Sequence, residues 1–259
     1  MQSICTLESL KPSKQVNNLF TQLVKLCILP SFIDISDLPV EVQLMRESLI
    51  SLCGRAEGFL ELEFANILTN IPEPLEHLDL FPYYGNYVKL ASLEHEILYD
   101  HGMAQPKKIA FLGSGPMSLT SIILATNHMQ SAHFVNFDID KSANNVAHQL
   151  ISSNAELERR MKFETCDVME MREKLGEFDC IFLAVLVGMN KEAKMKILEH
   201  MRKFMKAGGI LLVRSAIGAR GFLYPVVDEA DLAGFENLSI FHPDNDVINS
   251  VILVLKPFI

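Results

Sequence analysis

The sequence has no cluster of basic residues that could form a nucleic-acid-binding face. Its 259 residues include 23 Lys and Arg against 32 Asp and Glu, which gives a net charge of −9 at pH 7. Proteins that bind DNA or RNA neutralise phosphate groups with concentrated positive charge. Short basic groups such as Arg159-Arg160 are typical of solvated helix faces instead. We therefore expect no nucleic acid as a partner.

The cysteines and histidines lack the spacing of a disulfide framework or a metal site. No two cysteines form a CxxC pair, and the eight histidines form no HExxH motif. The five cysteines are odd in number, widely spaced and mostly set among apolar neighbours: Cys5, Cys27, Cys53, Cys166 and Cys180. This usage is typical of free thiols in a reducing compartment. We predict a cytoplasmic protein that holds no metal ion.

Long hydrophobic runs are also missing. The longest covers residues 181–187, a length that suits a buried strand, whereas a bilayer-spanning helix needs about 20 residues. Met1 opens a polar segment that has no basic n-region and no cleavage site, so no secretory signal is expected. These features predict a soluble protein without a membrane span. They leave the oligomeric state open, with a homodimer as one option.

The first hundred residues have the pattern of helices. Lys14 to Leu29 is amphipathic, and a longer helix is expected over Val40 to about Leu68. Apolar residues of the longer helix, Met45 and Ile67 among them, recur at the 3.6-residue spacing of one buried stripe. A third helix is expected over about Asn86 to Tyr99. This part of the chain therefore predicts a helical unit.

From Lys107 onward, short apolar strands alternate with helical stretches, which indicates a parallel sheet with crossover helices. The expected strands are Lys108–Leu112, His133–Asp138, Lys162–Cys166, Cys180–Val187 and Gly209–Arg214. The expected helices lie near Ser118–Met129, Ser142–Ser152, Met171–Leu175 and Lys191–Phe204. Residues 238–241 and 247–255 predict an antiparallel hairpin. The pattern is that of the α/β, Rossmann-like fold of S-adenosylmethionine-dependent methyltransferases. We expect an N-terminal helical domain over 1–104 and a cofactor-binding domain over 105–259.

The first strand runs into a glycine-rich loop, Gly113-Ser114-Gly115-Pro116, and a helix follows at once. Glycines let the backbone approach a ligand closely, and a helix N-terminus offers free N–H groups to an anion. The third glycine of the dinucleotide pattern is replaced by Ser118, which argues against NAD. A glycine pair after a strand is weak evidence alone, so other residues must support a nucleotide site.

Two carboxylates supply that support. Asp138 closes the second strand, where it can accept hydrogen bonds from both ribose hydroxyls of an adenosine. Asp167 follows the third strand, within reach of an adenine amino group. The alternative interpretation makes Asp138, Asp140 and Asp167 helix caps and turn residues. Because these features fall at one edge of the sheet, adenosine binding is favoured.

Five longer motifs resemble one family, the nicotianamine synthases of plants. They are Phe81–Tyr87 (FPYYGNY), Ile109–Pro116 (IAFLGSGP), Asn136–Asp140 (NFDID), Leu183–Met189 (LAVLVGM) and Gly221–Asp228 (GFLYPVVD). The resemblance extends from about residue 10 to 255. It implies an enzyme that joins aminocarboxypropyl groups of three S-adenosylmethionine molecules into nicotianamine and releases three methylthioadenosines. The product chelates iron, nickel, copper and zinc and serves metal homeostasis, while the enzyme needs no metal.

The resemblance also implies particular site residues. A glutamate of the long N-terminal helix and a tyrosine of the aromatic loop take the proton of the attacking amine, and by motif these are Glu57 and Tyr83. Glu61, one turn further along, is the alternative base, and Glu63 is expected to be a buried structural carboxylate. Ala184 joins the glycine-rich loop, Asp138 and Asp167 as a cofactor-binding residue.

Two positions depart from the family pattern. Plant members carry proline in place of Ser118 and histidine in place of Ile217. The second change bears on product length or specificity if that histidine contacts substrate. Three alternatives therefore stay open: a related transferase that makes a shorter product, a small-molecule methyltransferase on the same fold, and a non-catalytic binding protein.

Overall fold

A computed structural model describes residues 2–29, 33–103 and 105–258. The N-terminal part holds four α-helices: α1 (Gln2–Cys5), α2 (Lys14–Cys27), α3 (Val40–Thr69) and α4 (Tyr84–Asp100). A 3₁₀ segment, Pro74–Leu80, joins α3 to α4. The three helices expected from the sequence are therefore confirmed, with ends that differ by one or two residues. The helix α2 begins where the side chain of Ser13 accepts a hydrogen bond from the Val16 amide at 3.2 Å.

The buried face of α3 is narrower than the predicted stripe. Leu49, Cys53 and Ala56 are buried as expected, but the side chains of Met45 and Ile67 are 46% and 44% exposed. The apolar spacing predicts which face of the helix is buried, but it does not show that the ends of so long a helix extend beyond the elements it packs against. The central turns of α3 are therefore the part that packs against the rest of the chain.

The remaining residues form a seven-stranded sheet. Its strands are β1 (Lys108–Leu112), β2 (His133–Asp138), β3 (Met161–Thr165), β4 (Cys180–Leu183), β5 (Ile210–Ser215), β6 (Glu236–Phe241) and β7 (Ser250–Leu255). Their order is β3-β2-β1-β4-β5-β7-β6. The first five strands pair in parallel, and β7 pairs antiparallel with both β5 and β6. Five parallel strands and a terminal hairpin confirm the predicted topology.

One predicted strand is too long. The apolar run that begins at Cys180 continues to Val187, but β4 ends at Leu183. The next residues turn: the Val187 amide donates to the Ala184 carbonyl at 3.2 Å, and Gly188 has φ +77°. Apolar character persists because the turn is packed against neighbouring elements, and hydrophobicity alone does not distinguish a buried turn from a buried strand.

Helices cover both faces of the sheet. They are α5 (Leu119–Ile123), which a π-helical turn extends to His128, α6 (Lys141–Ile151), α7 (Ala155–Arg160) and α8 (Lys191–Phe204). The short helix α7 was not expected; the side chain of Asn154 caps it by accepting from the amides of Glu156 and Leu157. The helix predicted near Met171–Leu175 is wrong, because 3₁₀ turns at Val168–Glu170 and Glu173–Glu177 occupy that region.

The helices α3 and α4 share one hydrophobic core with the sheet. Leu68 of α3 and Leu90 of α4 belong to the same buried cluster as Ile109 and Phe111 of β1. The proposed domain boundary at residue 104 stays a prediction, since this core crosses it. Within the described parts of the chain, no helix is both long enough and apolar enough to cross a membrane.

Candidate active site

A cavity of about 630 Å³ lies at the carboxyl ends of β1, β2 and β4, beneath α3. In the strand order, β1 stands between β2 and β4, where the connections leave in opposite directions and open α/β sheets bind ligands. The walls include nearly all the residues singled out from the sequence: Glu57, Gly113, Ser114, Gly115, Pro116, Asp138, Asp167 and Ala184. The structure thus brings these predicted residues together, while Tyr83 does not line this cavity.

The glycines of the loop are required by their backbone conformation and by their neighbours. Gly113 has φ +78°, and a Cβ there would lie 2.3 Å from Val187 Cγ2. Gly115 has φ +67°, and a Cβ there would lie 2.7 Å from Glu61 Oε2. Residues with a side chain rarely adopt such φ values. The loop therefore passes directly against a carboxylate of α3.

Two serines of the same loop are buried. Ser114 is 8% exposed, and its Oγ has no hydrogen-bond partner among the described residues. Ser118 has φ +45°, and its Oγ donates to the Gly115 carbonyl at 3.2 Å. A proline could not adopt this φ, since its ring holds φ near −65°. Ser118 therefore has a backbone conformation that the proline expected from the family pattern could not adopt.

The aspartates combine structural hydrogen bonds with a place in the cavity wall. Asp138 Oδ2 accepts from the Gly115 amide at 2.9 Å, so the carboxylate at the end of β2 is fixed against the loop. Asp140 caps α6, and Asp167 accepts from the Met169 amide at 2.9 Å. All three also line the cavity. The capping roles considered for them and access to a ligand therefore coexist.

Two glutamates of α3 form a carboxyl pair with two tyrosines, Tyr87 of α4 and Tyr224. The Tyr87 hydroxyl donates to Glu61 Oε1 at 2.7 Å and lies 3.5 Å from Glu57 Oε1. The Tyr224 hydroxyl donates to Glu57 Oε2 at 2.9 Å. Neither tyrosine had a role assigned from the sequence, although both stand in the motifs that carry the family resemblance. Glu63, expected to be buried, is exposed instead.

Burial changes the acidity of this carboxyl pair. It raises the pKa of Glu61 to about 8, with the negative charge of Glu57 as the second cause. Burial also raises the pKa of Glu57, although the hydrogen bonds from Tyr224 and Tyr87 lower it in part. Two neighbouring buried carboxyl groups do not both ionise readily, so the pair holds a proton near neutral pH. Such a pair can accept a proton from a bound amine.

A buried ion pair forms the floor beside these groups. On β5, the Arg214 guanidinium donates to both oxygens of Glu94, at 2.6 and 2.9 Å, and to Thr120 Oγ1 at 2.7 Å. It also lies 5.3 Å from the centre of the Phe111 ring. Arg214 lines the cavity, and its positive charge lowers the pKa of both Glu57 and Glu61 in part.

A second, smaller cavity of about 130 Å³ adjoins the first. Glu57, Tyr87 and Asn249 line both, so they stand at the junction between the two cavities. Tyr83 lines only the smaller cavity; among the described residues, the hydroxyls that reach Glu57 are those of Tyr87 and Tyr224. The pairing of Glu57 with Tyr83 therefore stays a prediction.

Two further expectations concern the surroundings. Ile217 is 44% exposed and lines neither cavity, so the change from the family histidine lies outside their walls. Among residues 2–29, 33–103 and 105–258, no three His, Cys, Asp or Glu side chains come together as a set of metal ligands.

The sheet order and the cavity at its carboxyl edge define the fold class of S-adenosylmethionine-dependent methyltransferases. A magnesium protoporphyrin IX methyltransferase from Synechocystis PCC 6803, solved with bound SAM, aligns with a TM-score of 0.52 over 66% of this chain and 80% of that one, at 18% identity. The family is narrower than that class: residues 1–258 match the family model described as nicotianamine synthase protein, and the chain belongs to the nicotianamine synthase family.

Plant relatives agree with this assignment. The chain is 51% identical over 255 residues to a nicotianamine synthase of Solanum lycopersicum, and 52% identical over 259 residues to nicotianamine synthase 3 of Arabidopsis thaliana. These alignments cover 98% of this chain and 80% and 81% of the relatives. The fold also matches MtNAS, solved in complex with MTA and tNA, with a TM-score of 0.80 at 20% identity over 98% of this chain and 93% of that one. The predicted family and fold are confirmed.

Proposed function

We propose that this chain is a nicotianamine synthase that uses the Glu57–Glu61 carboxyl pair as its proton acceptor. Family membership supports the overall reaction: three S-adenosylmethionine molecules give one nicotianamine and three methylthioadenosines. The observation that carries the proposed mechanism is the position of Glu57 at the junction of the two cavities. A donor molecule occupies the larger cavity, and the acceptor amine approaches from the smaller one.

The donor is held by the carboxyl edge of the sheet. Asp138 accepts hydrogen bonds from the ribose hydroxyls, and Asp167 binds the adenine amino group. The Gly113 and Ser114 amides donate to the Phe137 carbonyl and the Gly115 amide donates to Asp138. The Ser114 hydroxyl, which has no partner among the described residues, therefore binds the amino-acid end of the donor. The small side chain of Ala184 leaves room beside them. These assignments are supported by the shared cavity wall.

The reaction at this site is nucleophilic substitution at carbon. The acceptor amine attacks the γ-carbon of the propyl arm, a C–N bond forms, and the bond from that carbon to the sulfonium sulfur breaks. The sulfur keeps the electron pair and leaves as the neutral thioether methylthioadenosine. The acceptor arrives as an ammonium, so one proton passes to Glu57 before attack. Two such transfers build the linear chain, and a third, intramolecular substitution closes the azetidine ring.

Charge and hydrogen bonding favour this use of the pair. The sulfonium and the ammonium are both cations, and buried carboxylates attract them more strongly than exposed ones do. Tyr87 and Tyr224 fix the orientation of the two carboxyl groups through hydrogen bonds at 2.7 and 2.9 Å. The raised pKa values keep the pair basic enough to take a proton near neutral pH.

The first experiment is incubation of the metal-free protein with S-adenosylmethionine alone, followed by mass analysis. We expect nicotianamine and methylthioadenosine in a ratio of one to three, with or without a chelator. S-Adenosylhomocysteine as the product would identify a methyltransferase instead. A linear product without the ring would identify the related transferase that stops early. Loss of turnover with a chelator, restored by one metal, would contradict the expectation that the enzyme needs no metal.

The role of Glu57 is tested by Glu57→Gln. Loss of a general base typically lowers the rate about 10²–10⁴-fold. Binding of methylthioadenosine should persist, because the groups that hold it lie across the cavity on the sheet. Near-normal turnover of Glu57→Gln combined with an inactive Glu61→Gln would assign the base to Glu61, one helical turn away.

The cellular setting remains a proposal from composition. A cytoplasmic location accords with the free thiols of the sequence. A homodimer is one option for the assembly. Light scattering of the purified protein measures the oligomeric state directly, and fractionation of cells measures the location.

A further inference from the structure

Asn249 has a buried side-chain amide whose nitrogen finds no hydrogen-bond acceptor in the described part of the chain. The residue stands just before β7, whose first residue, Ser250, pairs with Ser215 at the carboxyl end of β5. Its side chain is therefore at the same edge of the sheet as the active site. Asn249 is 7% exposed, and its Nδ2 has no hydrogen-bond partner among the described residues. Buried amide donors are normally paired, so an unpaired one beside a cavity points to a ligand.

The position of this amide restricts what the ligand can be. Asn249 lines both cavities, together with Glu57 and Tyr87. A ligand group that meets Nδ2 must accept a hydrogen bond, and it must do so beside the carboxylate proposed to take the proton. An ammonium cannot accept a hydrogen bond, whereas a carboxylate can.

Three other side-chain donors near the junction are already committed. The Tyr87 and Tyr224 hydroxyls donate to Glu61 and Glu57. The Arg214 guanidinium is bound to Glu94. Ser114 is the other buried donor without a partner on the walls, and it lines the larger cavity alone. Of these two unpaired hydrogen-bond donors, Ser114 therefore lies on the cavity proposed for the S-adenosylmethionine donor, and Asn249 lies at the junction.

We propose that Asn249 binds the α-carboxylate of the acceptor molecule and so places the acceptor amine beside Glu57. This inference rests on the proposed function, since it concerns the second substrate of the same transfer. A neutral amide suits the position for an electrostatic reason. A Lys or Arg there would stabilise the ionised form of the nearby carboxyl pair, lower its pKa and weaken it as a base.

The test compares two ligands that occupy different cavities. Calorimetric titration with methylthioadenosine, which has no carboxylate, reports the donor cavity. Titration with nicotianamine in the presence of saturating methylthioadenosine reports the junction. For Asn249→Ala we expect methylthioadenosine affinity within twofold of the native value and nicotianamine affinity about 10- to 100-fold lower, the usual range for a lost hydrogen bond to a charged group. Asn249→Asp should be weaker still, because it places a second negative charge opposite the ligand carboxylate.

Asn245→Asp is the matched control. It introduces the same charge in the same segment, but Asn245 is exposed, lines neither cavity and accepts from the Val247 amide at 2.9 Å through its Oδ1, which aspartate retains. We expect both affinities to be unchanged. Native methylthioadenosine binding by the Asn249 variants also shows that they are folded.

The outcomes separate this inference from the proposed function. Undiminished nicotianamine binding by Asn249→Asp would overturn the carboxylate site, as would an equal loss of affinity for both ligands. If the unmodified protein makes no nicotianamine from S-adenosylmethionine, the proposed function itself fails. Nicotianamine synthesis by the native protein, together with a selective loss of nicotianamine binding in the Asn249 variants, supports both.

Discussion

Replacing Glu61 with glutamine should stabilise the protein at neutral pH while it impairs catalysis. Glu61 is 9% exposed, and its pKa is about 8, mainly through burial, against an ordinary value of 4.5. The folded protein therefore keeps a proton that the unfolded chain releases. At about 1.4 kcal/mol per pH unit, this costs about 3 kcal/mol of stability at pH 7. Glutamine does not titrate, so it removes that cost while its carbonyl still accepts from Tyr87.

The sign of the pH dependence follows from the raised pKa. Below about pH 4.5, Glu61 is protonated in both the folded and the unfolded protein. Its ionisation then causes no difference in stability between the native protein and Glu61→Gln. As the pH rises from about 4.5 to 8, the native protein loses stability relative to the variant, and the difference levels off above about pH 8. The Glu61→Gln variant should nevertheless be less active than the native protein, because it lacks half of the carboxyl pair.

Urea denaturation at pH 4.5, 7 and 8.5 measures this difference. Glu63→Gln, an exposed position on the same helix, should give no pH-dependent gain. The reasoning is refuted if Glu61→Gln and the native protein have the same unfolding free energy at all three pH values, or if the variant is the less stable one at pH 7.

Three other substitutions test the surroundings of the pair. Asp138→Ala should lower the affinity for methylthioadenosine about 10- to 100-fold without unfolding the protein; unchanged affinity in calorimetry would reject the ribose assignment. Gly115→Ala should abolish most turnover because its Cβ would meet a carboxylate oxygen at 2.7 Å, whereas Gly102→Ala, also at positive φ but with open space around it, should cost only backbone strain. Equal activity of these two variants would contradict this. Glu94→Gln leaves Arg214 buried without its partner and should cost about 3–5 kcal/mol in urea denaturation; a loss below about 1 kcal/mol would show that the ion pair is not needed.

The sheet could be predicted closely from the sequence because its central strands are buried on both faces. Both β1 and β2 have the predicted bounds, since parallel strands covered by helices are mostly hydrophobic and stand out from the polar segments beside them. The same property made the predicted β4 too long, because its apolar run continues into a packed turn. The short helix α7 was missed because its six residues, AELERR, are too few to show a period.

The partners within the carboxyl pair could not be read from spacing. Glu61 and Tyr87 are 26 residues apart, and Glu57 and Tyr83 have the same separation. Each pair is one helical turn from the other, so sequence position is consistent with either. Only the folded chain, in which α3 and α4 share one core, places the Tyr87 hydroxyl at 2.7 Å from Glu61. Tyr224 lies 167 residues beyond Glu57, a contact that no local pattern could indicate.

The carboxyl pair and the residues proposed to bind the nucleoside come from different stretches of the chain. Glu57, Glu61 and Tyr87 precede residue 104, whereas Asp138 and the glycine-rich loop follow it and belong to a sheet shared with methyltransferases. The two sets meet where Gly115 lies against Glu61, and Tyr224 adds its hydrogen bond to Glu57 from the later stretch. A sheet of this kind, covered by other helices, would keep the same adenosine donor while a different set of side chains selected which carbon of the sulfonium is attacked.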